Sequence, residues 1–503
     1  MSRISRRSLL TSGAAAGVLA ASGMALMAAP KQGGVLRAAV AGGRRAHNWD
    51  SRTHAGLFMM IAAHGAVFDC LTEVGADGAL RGELAESWEA SPDARVWTFN
   101  LRKGVQFHNG KAFGADDVLE SMAVHMGAGN LSPAGPLLSS VTGLQKVTDH
   151  QVQFHLVAAN ADFPYLLADY HLIIYPAGLV ELAMENGIGT GLYKVESFEP
   201  GKRLMARRVS AHYKGSAAGF FDELDIVNMD TDRERMDVLL DGDVDVIGQV
   251  PPRFATQLTA TRGVNVSRVS GNQHYQFSMQ AGVSQSDQFH LNQALRHGVD
   301  REKFLKTILS DFGQVAADTP IGPANQYFSK DISAVPFDTD KAQFHLRKSG
   351  VDRAALVQSG YAFPDADIAG NFLRDGLGHI GLSVDSKNGH AGSAIQMSNS
   401  HGRATEDWVL STYYSRNAPW NLSNWQHPTF QNLLLSARSE LNANRRRTHY
   451  QDLQKLLRDE GPVGVPVFAD YVFASQKTVA RPAAMGNLST LDSARLAERW
   501  WRA

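Results

Sequence analysis

Strand-type and helix-type patterns alternate along this chain from residue 34 onward, and no other feature restricts its fold so tightly. Residues 34–40, Gly-Val-Leu-Arg-Ala-Ala-Val, form an apolar run of strand length. Val96–Leu101 alternates with period two, the mark of a strand with one buried face, and Gln151–Leu156 repeats that pattern. Residues 116–122 open with Asp116 and Asp117 ahead of Val118 and Leu119, where a helix dipole favours acids. Residues 292–309 predict one longer helix with Leu295, Val299 and Phe304 on a single face, and residues 445–457 predict another. Residues 243–247 read as a short strand of the buried type. Strands and helices that interleave in this way predict an α/β fold.

The first residues address the chain rather than shape it. Arg6 and Arg7 precede a charge-free stretch, rich in Ala, Gly and Leu, that runs from Leu9 to about Ala29. A basic start, an apolar middle and small residues at the end predict a signal peptide over 1–29, and the arginine pair predicts the twin-arginine route. Gly, Ser and Thr within the stretch make it a weak membrane span. Cys70 is the only cysteine and lies well inside the mature chain, so neither a lipid anchor after the leader nor an intrachain disulfide is expected. An exported protein of the periplasm is the reading that fits. The mature length of about 470 residues predicts two or three lobes rather than one core. The chain carries 49 basic and 50 acidic side chains; Arg3, Arg6 and Arg7 fall in the leader, so the mature balance is about −4. That balance supplies no basic excess for nucleic acid or anionic lipid.

Motifs of catalysis and metal binding are missing from the sequence. There is no His-Glu-x-x-His, Cys-x-x-Cys, Gly-x-Ser-x-Gly or phosphate-loop pattern, and the 18 histidines are scattered. Gly187, Gly189 and Gly191 resemble part of a phosphate loop, but Leu192 stands where a dinucleotide fingerprint needs its last glycine, so a tight backbone passage is expected. Asp241, Asp243 and Asp245 begin like a calcium loop, yet Val246 replaces its glycine and Pro252 its bidentate glutamate. His108-Asn109-Gly110 reads as a turn, and Trp88, Trp97, Phe99 and Phe107 as core aromatics. No cofactor and no metal is expected.

Several segments together carry a family resemblance. Glu83-Leu84-Ala85-Glu86-Ser87-Trp88-Glu89 is followed by Trp97-Thr98-Phe99-Asn100-Leu101-Arg102-Lys103-Gly104-Val105, then by Phe107-His108-Asn109-Gly110-Lys111 and Asp116-Asp117-Val118. These resemble the family 5 extracellular solute-binding proteins of ABC importers, the dipeptide, oligopeptide and nickel binders. Gly189-Thr190-Gly191-Leu192-Tyr193 resembles a turn of that family in which proline usually stands at Leu192, and Leu295-Arg296 with Asp300-Arg301-Glu302 resembles a later helix. Residues 402–407, Trp420-Asn421 and residues 169–172 resemble a twin-arginine-exported peptide-binder subgroup.

The resemblance implies a non-enzymatic, monomeric binder with a two-lobed periplasmic-binding-protein clamshell of type II, cluster C-like. Lobe I would comprise 31–270 and 475–503, with an extra subdomain at 51–186. Lobe II would comprise 271–474, with crossings near Gly271 and Ala474. Its partners would be a small-molecule or peptide ligand and the ABC transporter permease of the inner membrane. Binders of a metal chelate, haem or an opine-like compound are the alternatives, with a periplasmic chaperone or sensor further off and a secreted hydrolase last. The resemblance also implies an aspartate in lobe II that holds a peptide's terminal ammonium. Asp407 is the first candidate for it and Glu406 the second. Tyr413, Tyr414, Trp420 and Trp425 cluster in a stretch rich in Asn, Ser and Pro, so a loop that presents aromatics to a ligand is expected there, with Tyr413, Trp420 and Trp425 in contact. Residues 389–400 contain no aromatic where that subgroup is rich in Trp and Tyr, which implies a pocket that is wider, emptier or built for another ligand.

Overall fold

A computed structural model describes residues 30–503 except 128, 282–284, 359–365, 387–392, 401, 417, 419, 422 and 424. The leader predicted at 1–29 lies outside the described residues, as do 389–392 of the segment without aromatics. No helix among the described residues is long and apolar enough to cross a membrane.

One mixed sheet of eleven strands runs through most of the molecule. At one end Val35–Val40 lies between Glu223–Asn228 and Val246–Ile247, parallel to both. Arg203–Arg208 and Tyr193–Glu199 extend that end antiparallel. At the other end Arg353–Gln358 lies parallel to Ser383–Ser386 and to Ser393–Ser400. Two long antiparallel strands, Val264–Ala281 and Val463–Gln476, join the ends. Their pairing breaks between Ser270 and His274, opposite Asp470 and Phe468. Gly271 sits in the break, where a Cβ would come within 2.4 Å of the Asn487 carbonyl oxygen and 2.5 Å of the Tyr471 ring. Ala474 pairs with both Ile247 and Val266, on the side of the break that holds the first strand.

The apolar side chains divide with the sheet. One core gathers Leu36, Val40, Trp49, Phe58, Phe68, Tyr193, Phe473 and Trp500. A second gathers Phe277, Leu291, Phe304, Leu346, Leu373 and Met397, and beside it a third holds Val409, Leu410, Tyr414, Phe430, Tyr450 and Leu457. A separate antiparallel sheet, in the order Ala85–Ala90, Val96–Leu101, Gln151–Leu156, Val141–Thr148, has its own core of Trp97, Phe99, Phe107, Phe154 and Phe163. The period-two strands foreseen in the sequence are two of its four. Trp97, Phe99 and Phe107 are buried as expected and Trp88 is partly buried. Gly110 closes the expected turn at φ 87°, with its N–H donating to the Phe107 carbonyl at 2.8 Å.

Elsewhere the structure redraws the sequence expectations. The helix expected over 292–309 is two, Gln285–Gly298 and Arg301–Leu309. Asp300 caps the second by accepting from the Lys303 N–H at 3.0 Å, which fixes the break at that residue. The strand expected over 243–247 shrinks to Val246–Ile247. Asp245 instead accepts from the Arg37 N–H at 2.9 Å and pairs with Arg502 at 3.1 Å, so it ties the first strand to the C-terminus. Gly189 and Gly191 do allow a close backbone passage: a Cβ would meet the Val67 carbonyl oxygen at 2.1 Å and the Ala66 carbonyl oxygen at 2.4 Å respectively.

Candidate ligand-binding cleft

The helix Glu406–Tyr413 organises the region that the sequence analysis singled out. Thr405 caps it by accepting from the Trp408 N–H at 3.2 Å. Glu406 and Asp407 lie in its first turn, where the dipole favours acids, and both are buried. Each is engaged within the fold. A Glu406 carboxyl oxygen accepts from the Tyr327 N–H at 2.6 Å, and burial pushes its pKa up to about 7. Asp407 pairs with Arg438 at 3.0 Å and accepts from the Ser411 hydroxyl at 3.1 Å.

Arg438 stands near the end of the helix Pro428–Ser439, and its carbonyl accepts from the Ala161 N–H at 2.8 Å. Ala161 belongs to the subdomain of the four-stranded sheet. One residue on, Asp162 forms an ion pair with Arg446 at 2.7 Å; their side chains are 5% and 9% exposed. Trp408 also packs against the subdomain's core. The helix Glu406–Tyr413 and its neighbours therefore meet the subdomain face to face, and the acidic pair lies inside that contact.

The aromatic residues separate into two groups. Tyr414 is fully buried in the third core, and Trp425 packs there against Phe430 with ring centroids 5.0 Å apart. Tyr413, which also packs against that core, meets Trp420 with ring centroids 5.4 Å apart, and Trp420 is 44% exposed. Together with Tyr414, Ser423 and Val463 these two line a small cavity, whose opposite wall is polar: Gln276 and Ser278 from one long strand, Gln396 and Ser398 from its neighbour. The Gln276 amide donates to the Ser398 hydroxyl at 3.0 Å and its oxygen accepts from the Tyr414 hydroxyl at 3.2 Å. Among the described residues the Ser278 hydroxyl and the Gln396 side-chain oxygen have no partner although both are buried. The cavity measures about 10 Å³, room for about one water molecule. None of these four polar residues was named from sequence, although Gln396 and Ser398 fall in the aromatic-free segment 389–400 that was tied to the pocket.

Metal chemistry finds little support. Among the described residues, His64, Cys70 and Glu83, and likewise Glu73, Glu83 and Glu498, approach closely enough to share an ion. Glu83 and Glu498 are already paired with Lys214 and Arg495, and Glu73 with Arg495 and Arg499. Burial alone would raise the Glu83 pKa; Arg495 and Lys214 overcome it and hold the carboxyl below the usual range. The acidic cluster thus balances its own charge.

A sheet that carries two cores along its length, with an added subdomain, is the periplasmic-binding-protein fold of mixed α/β type. Residues 79–440 match the family model of the bacterial extracellular solute-binding proteins, family 5 (its middle region), and the chain belongs to that family, whose members are ABC-transporter binding proteins and not enzymes. The dipeptide-binding protein of Escherichia coli K12 is 23% identical over 430 residues, 75% of this chain and 79% of the relative. Two solved structures share the fold. One is the binding protein AgaA of A. tumefaciens R10 in complex with agropinic acid, at TM-score 0.79 and 20% identity, covering 93% of this chain and 99% of the other. The other is the binding protein DppA of Helicobacter pylori in complex with the peptide STSA, at TM-score 0.77 and 18% identity, covering 94% and 99%.

Proposed function

We propose that this protein is the periplasmic solute-binding subunit of an ABC importer and that it holds a small polar ligand, a di- or oligopeptide first, against the wall formed by Tyr413, Trp420, Gln276, Ser278, Gln396 and Ser398. The observation that carries this is the pair of buried, unpartnered acceptors, Ser278 and Gln396, facing two aromatic rings at the mouth of one cavity. Buried polar groups are nearly always satisfied, so an unpaired set beside an opening fits a partner that comes and goes. The names of the relatives support the ligand class. The AgaA complex keeps an opine-like compound as the second reading, because the cavity has one polar wall and carries no carboxylate for an ammonium.

Our lobe I comprises 31–270 and 475–503 with the subdomain at 51–186, and our lobe II comprises 271–474. The hinge is the register break at Ser270/His274. A cavity that admits one water cannot admit a dipeptide, so entry requires the contacts at Asp162 and Ala161 to part. In this reading Glu406 and Asp407 hold the closed contact together, and Trp425 packs lobe II; a ligand ammonium could reach Asp407 only by displacing Arg438. Residues 1–29 act as a twin-arginine leader, and the mature monomer is free in the periplasm without a lipid anchor.

The test is calorimetric screening of the mature protein against di- and tripeptides, opines, haem and free metals, followed by small-angle scattering. A saturating ligand lowers the radius of gyration. A ligand that binds tightly and leaves the scattering profile unchanged refutes the hinge.

A further inference from the structure

Arg403 lies between the end of the strand Ser393–Ser400 and the helix Glu406–Tyr413. Its guanidinium carbon is 5.5 Å from the Trp408 ring centre and 5.6 Å from that of Trp420. Trp408 touches the subdomain, and Trp420 lines the cavity. The arginine therefore stands where the cavity meets the opposing lobe. Asp169 of lobe I and Tyr471 of lobe II feel its charge. The Asp169 carboxyl would be raised by burial but is held down by His171 and then by Arg403, and the Tyr471 hydroxyl is pushed up to about 12 by burial, against which Arg403 pulls.

Asp169 does not serve as the counter-ion. It accepts from its own neighbour His171 at 2.6 Å, and among the described residues no carboxylate lies within ion-pair distance of Arg403. Among the described residues the buried Nε of Arg403 has no hydrogen-bond partner. Arg301 and Arg446 also have a buried Nε without a partner, but their terminal nitrogens grip Asp318 and Asp162, and Arg296 donates to five backbone carbonyls. A guanidinium lying over indole rings keeps its five N–H donors in its own plane, free for a planar acceptor. Leaving such a donor dry and unpaired is costly.

We propose that Arg403 receives a carboxylate of the ligand, so the transported compound is an organic acid whose carboxylate end lies at Arg403 and whose remainder lies along Trp420 toward Gln276, Ser278 and Gln396. This rests on the cleft proposed above. It replaces the acidic anchor for a ligand ammonium expected from sequence with a basic anchor for a ligand carboxylate. It also makes Trp420 a shared element, which carries the arginine over its ring and lines the cavity.

The experiment uses four probes on the full mature protein: Ala-Phe, its C-terminal amide, agropinic acid, and N-acetyl-Ala-Phe, titrated by calorimetry with tryptophan fluorescence as a second readout. At least one free acid binds, and blocking the carboxylate of Ala-Phe as the amide weakens it about 30-fold or more, the usual loss when one partner of a buried charge pair is removed. N-acetylation has little effect. Arg403→Met lowers affinity for the acid to that of the amide, Arg403→Lys restores part of it, and a melting curve verifies folding. Acid and amide binding alike overturns the carboxylate assignment but leaves the cleft standing. An acid preference that survives in Arg403→Met places the cation elsewhere and also overturns it. Failure of all four probes to bind the wild type overturns the assignment and the proposed ligand class together.

Discussion

Replacing Arg446 by Met should open this protein, and the size of the effect follows from its surroundings. In the proposed division Asp162 and Arg446 belong to opposing lobes; they pair at 2.7 Å and are 5% and 9% exposed. In the closed form the variant leaves a buried carboxylate without its cation; in the open form water reaches Asp162 from both sides. An uncompensated buried charge costs about 3–5 kcal/mol. Protonating Asp162 instead, from its ordinary value of 3.8, costs about 4 kcal/mol at pH 7, which caps the penalty. The closed form thus loses about 3–4 kcal/mol, roughly 150- to 1000-fold in its population relative to the open form. Arg446 does not line the cavity, so this appears as weaker ligand binding through closure alone. Calorimetry on Arg446→Met, Asp162→Asn and the double variant measures it. The double variant, in which no charge is stranded, recovers most of the affinity, and lowering the pH to about 5 partly rescues Arg446→Met by protonating Asp162. Arg446 also lies over the Tyr327 and Tyr450 rings, so a melt of each variant separates loss of lobe II packing from loss of closure. A double variant as weak as Arg446→Met, or an Arg446→Met that binds like the wild type, refutes the reasoning.

Two further outcomes concern stability. Glu406 is an acid whose folded pKa is raised to about 7 by burial, so its contribution is complete below about 4.5 and disappears as the pH rises through 7, a change of about 3 kcal/mol. Glu406→Gln keeps an acceptor for the Tyr327 N–H and flattens that slope in urea melts; an unchanged slope assigns it to other groups. Lys214 bridges Glu83 and Glu498, whose pKa values are depressed by Arg495 and Lys214 against burial. Stability from these acids is present above about 4.5 and lost as the pH falls below it. Lys214→Met costs about 3–5 kcal/mol at pH 7 and shrinks that acid-side loss. A variant as stable as the wild type at pH 7 shows that Arg495 alone suffices.

The fold was more legible than the site, and particular residues show why. Val96–Leu101 and Gln151–Leu156 announce themselves because burial on one face writes period two into the chain. The break at Asp300 was also readable in principle: an N-cap aspartate followed by Glu302 is a helix start, but the continuous apolar face from Leu295 to Phe304 concealed it. The placement of Asp407 was not readable. Its role depends on Arg438, thirty-one residues on and brought beside it only when two helices pack. Arg403 is harder still, since sequence displays an arginine but never the absence of its partner.

The two long strands that run unbroken past the proposed hinge have a mechanical consequence. A joint made of two flexible loops would let the lobes wander in many directions. Here Val264–Ala281 and Val463–Gln476 stay laddered on both sides of a short unpaired step, and the Gly271 backbone is wedged against Asn487 and Tyr471. Such a ribbon resists shear and splay and yields to flexing at the step. The protein then travels along nearly one coordinate. A membrane partner would meet one repeatable loaded surface rather than a spread of half-shut shapes, whatever cargo sits inside.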